Sequence, residues 1–399
     1  MPWKECNIMD ERMKFVSRLL EGEKMTDLCS EFGISRVTGY KIWNRYQNCG
    51  LTGLLNQSRR PSRCVNRLPV QVEKIIIRIK KEKPTWGAPK IRELLKKRYC
   101  EIQTPAKSTV HAVLERNGFV KERRGRRYKA KGTYLSVARE PNDLWCADFK
   151  GEFRMGDRQY CYPLTISDFA SRYLFAAEGL STTKTMYSFT VFENVFKEYG
   201  LPTAIRTDNG NPFSSPNALF GLSYLSVWWL RLGIKLERIK PGHPEQNGRH
   251  ERMHLTLKKA TTIPPAQNLL QQQEKLDYFL EEYNTERPHE ALNMKCPAEI
   301  YTPSQRKYSG LSNLEYPQHD RTITVTRCGR ICMNDLKVSL SKVFANQDVG
   351  LMEVDDKTWL VTFMDYDLGV FDEESSRFEP LNDPFTLKLD EKVLTMSPV

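Results

Sequence analysis

The period of the hydrophobic pattern changes once along this chain, near residue 140, and no other feature limits the fold so strongly. Before that point, apolar residues recur at intervals of three and four: Met13, Phe15, Val16, Leu19 and Leu20, then Val72, Ile75, Ile76 and Ile79, then Ile91, Leu94 and Leu95. Such spacing lays one stripe along a helix and predicts an all-α front. After it, Leu144-Trp-Cys-Ala-Asp-Phe149 predicts a strand, with further strands near 160–167 and 172–178. A helix over 185–199 ends at Gly200 and Pro202, and a short strand covers 204–207. Helices at 217–232, 247–260 and 267–284 and a strand at 234–239 follow. Three adjacent strands and then alternating helices and strands predict a mixed α/β sheet. From about 321 to 375 the pattern is β-rich again, which predicts a small antiparallel barrel.

At 399 residues the chain exceeds the roughly 250 residues that one core supports, so two to four domains are expected. No run approaches the roughly 18 apolar residues of a spanning helix. The start, Met-Pro-Trp-Lys-Glu-Cys, lacks a basic segment leading into an apolar one. Secretion and a membrane partner are set aside, and a cytoplasmic location is expected. Charge is unevenly spread: residues 1–135 hold 31 Lys and Arg against 13 Asp and Glu, net +18, and the remainder holds 30 against 36, net −6. A basic front third is the footprint of a phosphate-backbone binder; a solvated basic surface is the bland alternative. The ten cysteines are scattered, with no CxxC pair, which predicts reduced thiols and no structural metal.

Inside the basic third, Met25-Thr-Asp-Leu-Cys-Ser-Glu-Phe is a short amphipathic stretch closed by Gly33. Ile34 and the cap candidate Ser35 then open a second stretch, from Arg36 to Tyr46. Helix, glycine turn and Ser-capped basic helix make a helix-turn-helix pattern. Arg36, Thr38, Lys41 and Arg45 are expected to face DNA, with Val37, Tyr40 and Trp43 packed inward. A second unit of the same kind, less sharply marked, ends near Asn117-Gly118. Beyond it, seven of the eleven residues from Lys121 to Lys131 are basic, including Arg123, Arg124, Arg126 and Arg127. Such a block suits a linker lying along a duplex.

Three carboxylates stand out by position. Asp148 lies in an apolar strand on the face of Leu144 and Cys146, where an unpaired charge costs several kcal/mol. Asp208 follows a strand and precedes Asn-Gly, a turn that lets backbone approach a ligand. Glu251 falls on the helix containing Gln246-Asn-Gly-Arg-His-Glu-Arg-Met-His254. Hard cations prefer such oxygens, and two of them can activate a nucleophile and stabilise a leaving oxygen in phosphoryl transfer. Taken singly, each acid reads equally well as edge charge, turn former or surface residue.

At these residues the chain resembles the DDE transposases of bacterial insertion sequences, in the retroviral-integrase superfamily with its ribonuclease H-like core. The resemblance spans nearly the whole chain. It rests on Met-Pro-Trp-Lys-Glu, the helix-turn-helix, Thr85-Trp-Gly, Leu144-Trp-Cys-Ala-Asp148-Phe-Lys and Ile166-Ser-Asp-Phe-Ala-Ser-Arg-Tyr173. It continues through Thr207-Asp-Asn-Gly210, Pro241-Gly-His-Pro-Glu-Gln-Asn-Gly-Arg-His-Glu251-Arg and Tyr283-Asn-Thr-Glu-Arg-Pro-His289-Glu-Ala-Leu. It implies that Asp148, Asp208 and Glu251 are the metal-binding catalytic acids, holding two Mg²⁺ ions for which Mn²⁺ can substitute. Asp208 and Glu251 have 42 residues between them; a count of 36 would select Glu245 instead. Glu245 precedes the helix beside Pro244, whereas the family's glutamate follows Asn-Gly by three positions, so Glu251 is preferred.

Asn209, Asn247 and His243 would support the acids; Asp168 reads as a hairpin or cap residue, with support of the acids as the alternative; His250 and His254 read as DNA contacts or support, with ordinary surface histidines as the bland alternative. Lys150, Arg206, Lys240 and Arg249 are candidates for phosphate contacts. No zinc is expected, since imidazole suits that metal but the only histidine before residue 243 is His111. The implied partners are double-stranded DNA, as element terminal repeats and target, and further copies of the chain, in a nucleoid-associated bacterial protein.

The expected domains are a helix-turn-helix domain (1–58), a second helical domain (68–120), a basic linker (121–138), a catalytic core (139–303), the barrel (318–375) and an acidic tail (376–399). Two rivals are a catalytically silent helix-turn-helix relic and a nuclease acting on RNA–DNA hybrids. Acids at all three positions oppose the first, and the two DNA-reading units oppose the second.

Overall fold

The structure, a computed structural model, describes residues 7–56, 68–120, 135–136, 138–240, 243–333 and 336–385, the side chains of Pro244 and Glu245 excepted. The chain divides into two compact units, Met1–Leu68 and Pro69–Val399. Most of the expected basic linker, with Arg123, Arg124, Arg126 and Arg127, lies outside the described residues, as does the tail beyond 385.

The first unit is trihelical: α1 (Ile8–Leu20), α2 (Met25–Glu31) and α3 (Arg36–Cys49). Phe15, Val16, Leu28, Cys29 and Leu54 make its core. Ser35 caps α3, its hydroxyl accepting from the Thr38 N–H at 3.2 Å, which satisfies one of the amides a helix start leaves open. The inward face of α3 is not the expected one. Val37 is 79% and Tyr40 53% exposed, while Gly39 is buried and Ile42, Trp43 and Tyr46 pack partly against the core. A Cβ on Gly39 would lie 2.5 Å from Cys29 Sγ and 3.1 Å from the Phe15 ring. Close backbone approach at Gly39 therefore sets the phase of the helix, and Val37 and Tyr40 turn outward.

The second unit begins with α4 (Val70–Glu82), α5 (Ala88–Arg98) and α6 (Lys107–Arg116), which bury Val72, Ile76, Ile79, Ile91, Leu94, Leu95, Val110, Val113 and Leu114. These helices are fastened to the chain after residue 281. Lys83 pairs with Glu282 at 3.4 Å and Glu286 at 2.8 Å, and Lys97 pairs with Glu299 at 2.5 Å.

The central sheet uses β1 (Leu144–Phe149), β2 (Phe153–Arg154), β3 (Tyr160–Asp168) and β4 (Leu174–Leu180). Helix α7 (Thr185–Tyr199) leads to β5 (Ala204–Thr207), and α8 (Tyr224–Arg231) to β6 (Lys235–Arg238). Strands β4, β3 and β1 are antiparallel neighbours, and β1, β5 and β6 run parallel, with β2 on the start of β3. This is the expected mixed sheet. Helix α8 is shorter than the pattern suggested: Ser223 caps it with Ser226, and Phe220 before it has φ +53°.

Side chains alternate across the sheet. Trp145, Ala147 and Ile166 join the core with Phe192, Phe196 and Trp229 from α7 and α8. On the opposite face, α9 (Gly248–Thr261) and α10 (Leu269–Glu281) pack Met253, Leu257, Leu276 and Phe279 against Leu174 and Ala177. Cys146 and Asp148 belong to that second face, below α9.

The C-terminal strands are β7 (Arg321–Thr324), β8 (Arg330–Met333), β9 (Leu336–Ser339), β10 (Asp348–Asp355), β11 (Thr358–Phe363), β12 (Tyr366–Asp372) and β13 (Arg377–Pro380). They are antiparallel, as expected, but no ladder closes a barrel among the described residues. One sheet runs β13-β12-β11-β10-β7, and β8-β9 forms a separate pair. Its two edges are the four-residue strands β7 and β13, which do not pair with each other. No helix of the described residues is long and apolar enough to cross a membrane.

Candidate active site

Asp148 is carried near the end of β1, Asp208 directly follows β5, and Glu251 lies in the first turn of α9. Because β1 and β5 are parallel neighbours, Cys146 opposite Arg206, the two aspartates emerge at the same end of the sheet. Burial first, then the Asp208 carboxylate, and further Glu251, push the Asp148 carboxyl up to about 7. Burial also raises Asp208, against the pull of the Gly210 N–H, which donates to Asp208 Oδ1 at 3.1 Å. A side chain at position 210 would crowd that carboxylate, since its Cβ would lie 3.0 Å from Asp208 Oδ2. The first turn of a helix is a favourable place for Glu251, where the N-terminal dipole attracts negative charge.

The position of α9 is fixed by a buried hydrogen-bond network. Thr165, directly across the β1–β3 ladder from Asp148, donates its hydroxyl to the Asp148 carbonyl oxygen at 3.0 Å. Thr165 Oγ1 also lies 2.8 Å from His250 Nε2 and 2.7 Å from His254 Nε2. A hydroxyl has one proton, already committed, so both imidazoles donate through Nε2. Ser167 Oγ is 2.9 Å from His250 Nδ1 and donates to it. Accepting at Nδ1 makes His250 neutral, and burial holds His254 down to about 3 and His250 well below its usual value. His254 Nδ1 lies 3.9 Å from Asp148 Oδ2. The two histidines thus anchor the helix bearing Glu251 to the sheet and are not exposed DNA contacts.

A second clamp holds the approach to α9. Arg206 is 2% exposed and donates from Nε to Glu237 at 2.5 Å, from Nη1 to the Gln246 carbonyl at 3.2 Å and from Nη2 to the Ser136 carbonyl at 3.0 Å. It is therefore a buried structural cation, which corrects its expected phosphate contact. Gln246 Oε1 accepts from the Lys240 N–H at 2.8 Å, and Asn209 Nδ2 donates to the Ile239 carbonyl at 2.7 Å. Asn247 precedes α9, buried, with its Oδ1 unpartnered among the described residues, and His243 is exposed before it. Arg249 donates to the Phe169 carbonyl at 3.1 Å and lies 4.0 Å over the Phe169 ring. Asp168 is a buried hairpin residue, accepting from the Asn142 N–H at 2.8 Å and from the Ser171 N–H and hydroxyl at 2.6 and 2.7 Å. In the first unit Arg36, Thr38 and Lys41 are exposed and Arg45 half-buried.

Among the described residues no three His, Cys, Asp or Glu side chains are gathered closely enough to form a metal cage. The donor set still fits a hard cation: the Asp208 and Glu251 carboxylates both raise the partly buried Asp148, and a divalent ion would offset that charge. Sequence reasoning missed Thr165, Ser167 and Glu237. Their partners lie 17 to 89 positions away, so only the strand register reveals them.

Comparison with known proteins agrees with this architecture. An integrase core domain matches residues 138–244, and a second integrase core model matches 232–297. A helix-turn-helix domain matches 11–62 and a homeodomain-like domain 38–114. A 31.7 kDa uncharacterized protein of insertion element IS407, from Burkholderia multivorans, is 25% identical over 175 residues. That match covers 42% of this chain and 57% of the relative, so the chain spans little over half of the relative's length. Among solved structures, the HTLV-2 integrase catalytic core domain in complex with magnesium is 17% identical, with 41% of this chain and 98% of that one covered and a TM-score of 0.32. A simian T-cell lymphotropic virus intasome in complex with a PP2A regulatory subunit is 13% identical, with 73% and 97% covered and a TM-score of 0.37.

Proposed function

We infer that this chain, an insertion-sequence transposase of the integrase superfamily, cuts and joins DNA strands at the ends of its element. The observation that carries this reading is the Asp148 carboxyl, raised by burial and by the Asp208 and Glu251 carboxylates, with Glu251 on a helix anchored by two buried histidines. Asp148, Asp208 and Glu251 would hold two Mg²⁺, or Mn²⁺, ions. Such ions, when bound, activate the attacking oxygen and stabilise the leaving one.

The chain's own groups orient the reactants. Thr165, His250 and His254 hold the helix bearing Glu251 to the sheet, and Lys150, near Asp148, would offer charge to the phosphate. Water attacks a phosphodiester at the element end, the P–O3′ bond breaks, and a 3′-hydroxyl is released. That hydroxyl attacks a target phosphodiester, expelling a second 3′-oxygen and joining the strands. No side chain forms a covalent bond to DNA. Arg36, Thr38, Lys41 and Arg45 would read terminal repeats, and the outward Val37 and Tyr40 would add apolar contacts beside them. Two ends must be handled together, so the active form is a multimer of this chain on DNA.

The test is cleavage and joining of duplex DNA carrying the element's terminal repeat, with Mg²⁺, by wild type and Asp148→Asn. Activity in wild type, lost by about 100-fold or more in the variant, is expected. Binding without cleavage under Mg²⁺ and Mn²⁺ would point to the DNA-binding relic. Cleavage confined to an RNA–DNA hybrid would point to the nuclease.

A further inference from the structure

A cavity of about 510 Å³ lies beside α9, walled by segments that the sequence keeps far apart. Lys90 comes from the first turn of α5, Arg249, Arg252 and Lys259 from α9, and Arg287 and His289 from the segment after α10. Arg172 completes a ring of six cations facing one carboxylate, Glu290. Among the described residues, Lys90, Arg172, Arg252, Lys259 and Arg287 form no ion pair. Lys83, at the same junction, shows the contrast: it has both Glu282 and Glu286.

The wall also holds a buried ring nitrogen without a hydrogen-bond partner. His289 is 8% exposed, and its Nε2 has no hydrogen-bond partner among the described residues. Burial and the neighbouring cations both act on protonation here. Burial, then Arg287, pulls the Lys90 amine down to about 7, and burial, then Lys90, Arg172 and Arg287, takes His289 to about 3. Uncompensated like charge of this kind is costly unless an anion offsets it.

We propose that this cavity seats backbone phosphates of the DNA, clamping the strand between the start of α5 and α9. Guanidinium forks match phosphate oxygens, and phosphate contacts fix the register of a duplex without reading its sequence. Six cations spread over several segments exceed what one free phosphate dianion needs and match successive singly charged phosphodiesters. Arg252 adjoins Glu251, so a strand held here is indexed against the carboxylates. The Arg287-Pro-His289 motif, with no role in the carboxylate site, thereby acquires one. The proposal rests on the DNA-processing reading above.

The test uses the full chain and fluorescence anisotropy of a labelled duplex of about 30 base pairs and arbitrary sequence, at about 50 to 300 mM NaCl. Lys259→Gln and Arg252→Gln change exposed side chains, and Lys90→Gln probes the interior of the cavity. Each is expected to weaken binding by about 5- to 10-fold and to lower the log–log salt slope by about one. Unchanged affinity and slope in all three, with weakening in Lys41→Gln of α3, would overturn the clamp and leave the DNA reading standing. Inorganic phosphate that raises the melting temperature of wild type but not of Lys90→Gln, with DNA binding unaltered, would make this a free-phosphate site and also overturn it. No duplex binding by wild type would remove the DNA reading and the clamp together.

Discussion

Arg206 and Asp148 sit on neighbouring strands and both carry a charged group into the interior, yet only Arg206 is compensated. The Arg206 guanidinium meets Glu237, itself 2% exposed, and two backbone carbonyls, so its donors are satisfied on every side. Asp148 faces two further carboxylates and a neutral imidazole, and its carboxyl is pushed up to about 7. A buried charge serving structure is paired, because an unpaired one costs several kcal/mol. Strain left unrelieved, by contrast, marks a place where a ligand is meant to relieve it.

That contrast can be broken by removing one member from each cluster. Glu237→Gln should have the largest effect on stability, because it strands a buried guanidinium: a loss of about 3–5 kcal/mol is expected in denaturant unfolding. A loss below about 1 kcal/mol would mean that the pair is not a structural clamp. Asp148→Asn should act in the opposite direction. The folded carboxyl keeps its proton up to about 7, whereas the unfolded one releases it near 3.8, so the folded state loses stability as pH rises through that window. Without divalent metal, the variant should be more stable than wild type at pH 8, by about 1–4 kcal/mol, and equal to it near pH 3. Thermal unfolding at the two pH values checks this.

His254→Gln sharpens the comparison with a smaller effect. The folded imidazole stays neutral down to about 3 while the unfolded one protonates near 6.5. Its contribution is therefore complete above 6.5 and is lost as pH falls toward 3. Wild type should lose about 2 kcal/mol from this residue alone between pH 6.5 and 5, and the variant's pH slope should be flatter by that amount. An unchanged slope would show that His254 is not held neutral at the helix–sheet contact.

Much of this was legible in the sequence, and the failures have physical causes. The strand bearing Asp148, the turn bearing Asp208 and the helix bearing Glu251 follow from period and turn chemistry. The phase of α3 does not, because the residue that sets it, Gly39, contributes no side chain to the hydrophobic pattern. The burial of Arg206 was hidden because its carboxylate lies 31 positions away on a strand whose register is a tertiary fact. The roles of His250 and His254 were hidden for the same reason: Thr165 and Ser167 are unremarkable strand residues until they face the helix. The open C-terminal sheet was hidden because alternation marks strands without giving which edges pair, and β7 and β13 stay apart.

The central claim is that Asp148, Asp208 and Glu251 act as one catalytic set. Strand joining on terminal-repeat DNA with Mg²⁺, comparing wild type, Glu251→Gln and Glu245→Gln, tests it most directly. The account predicts loss of joining, by about 100-fold or more, in Glu251→Gln and near-normal joining in Glu245→Gln. Full activity in Glu251→Gln, with Glu245→Gln inactive, would contradict it.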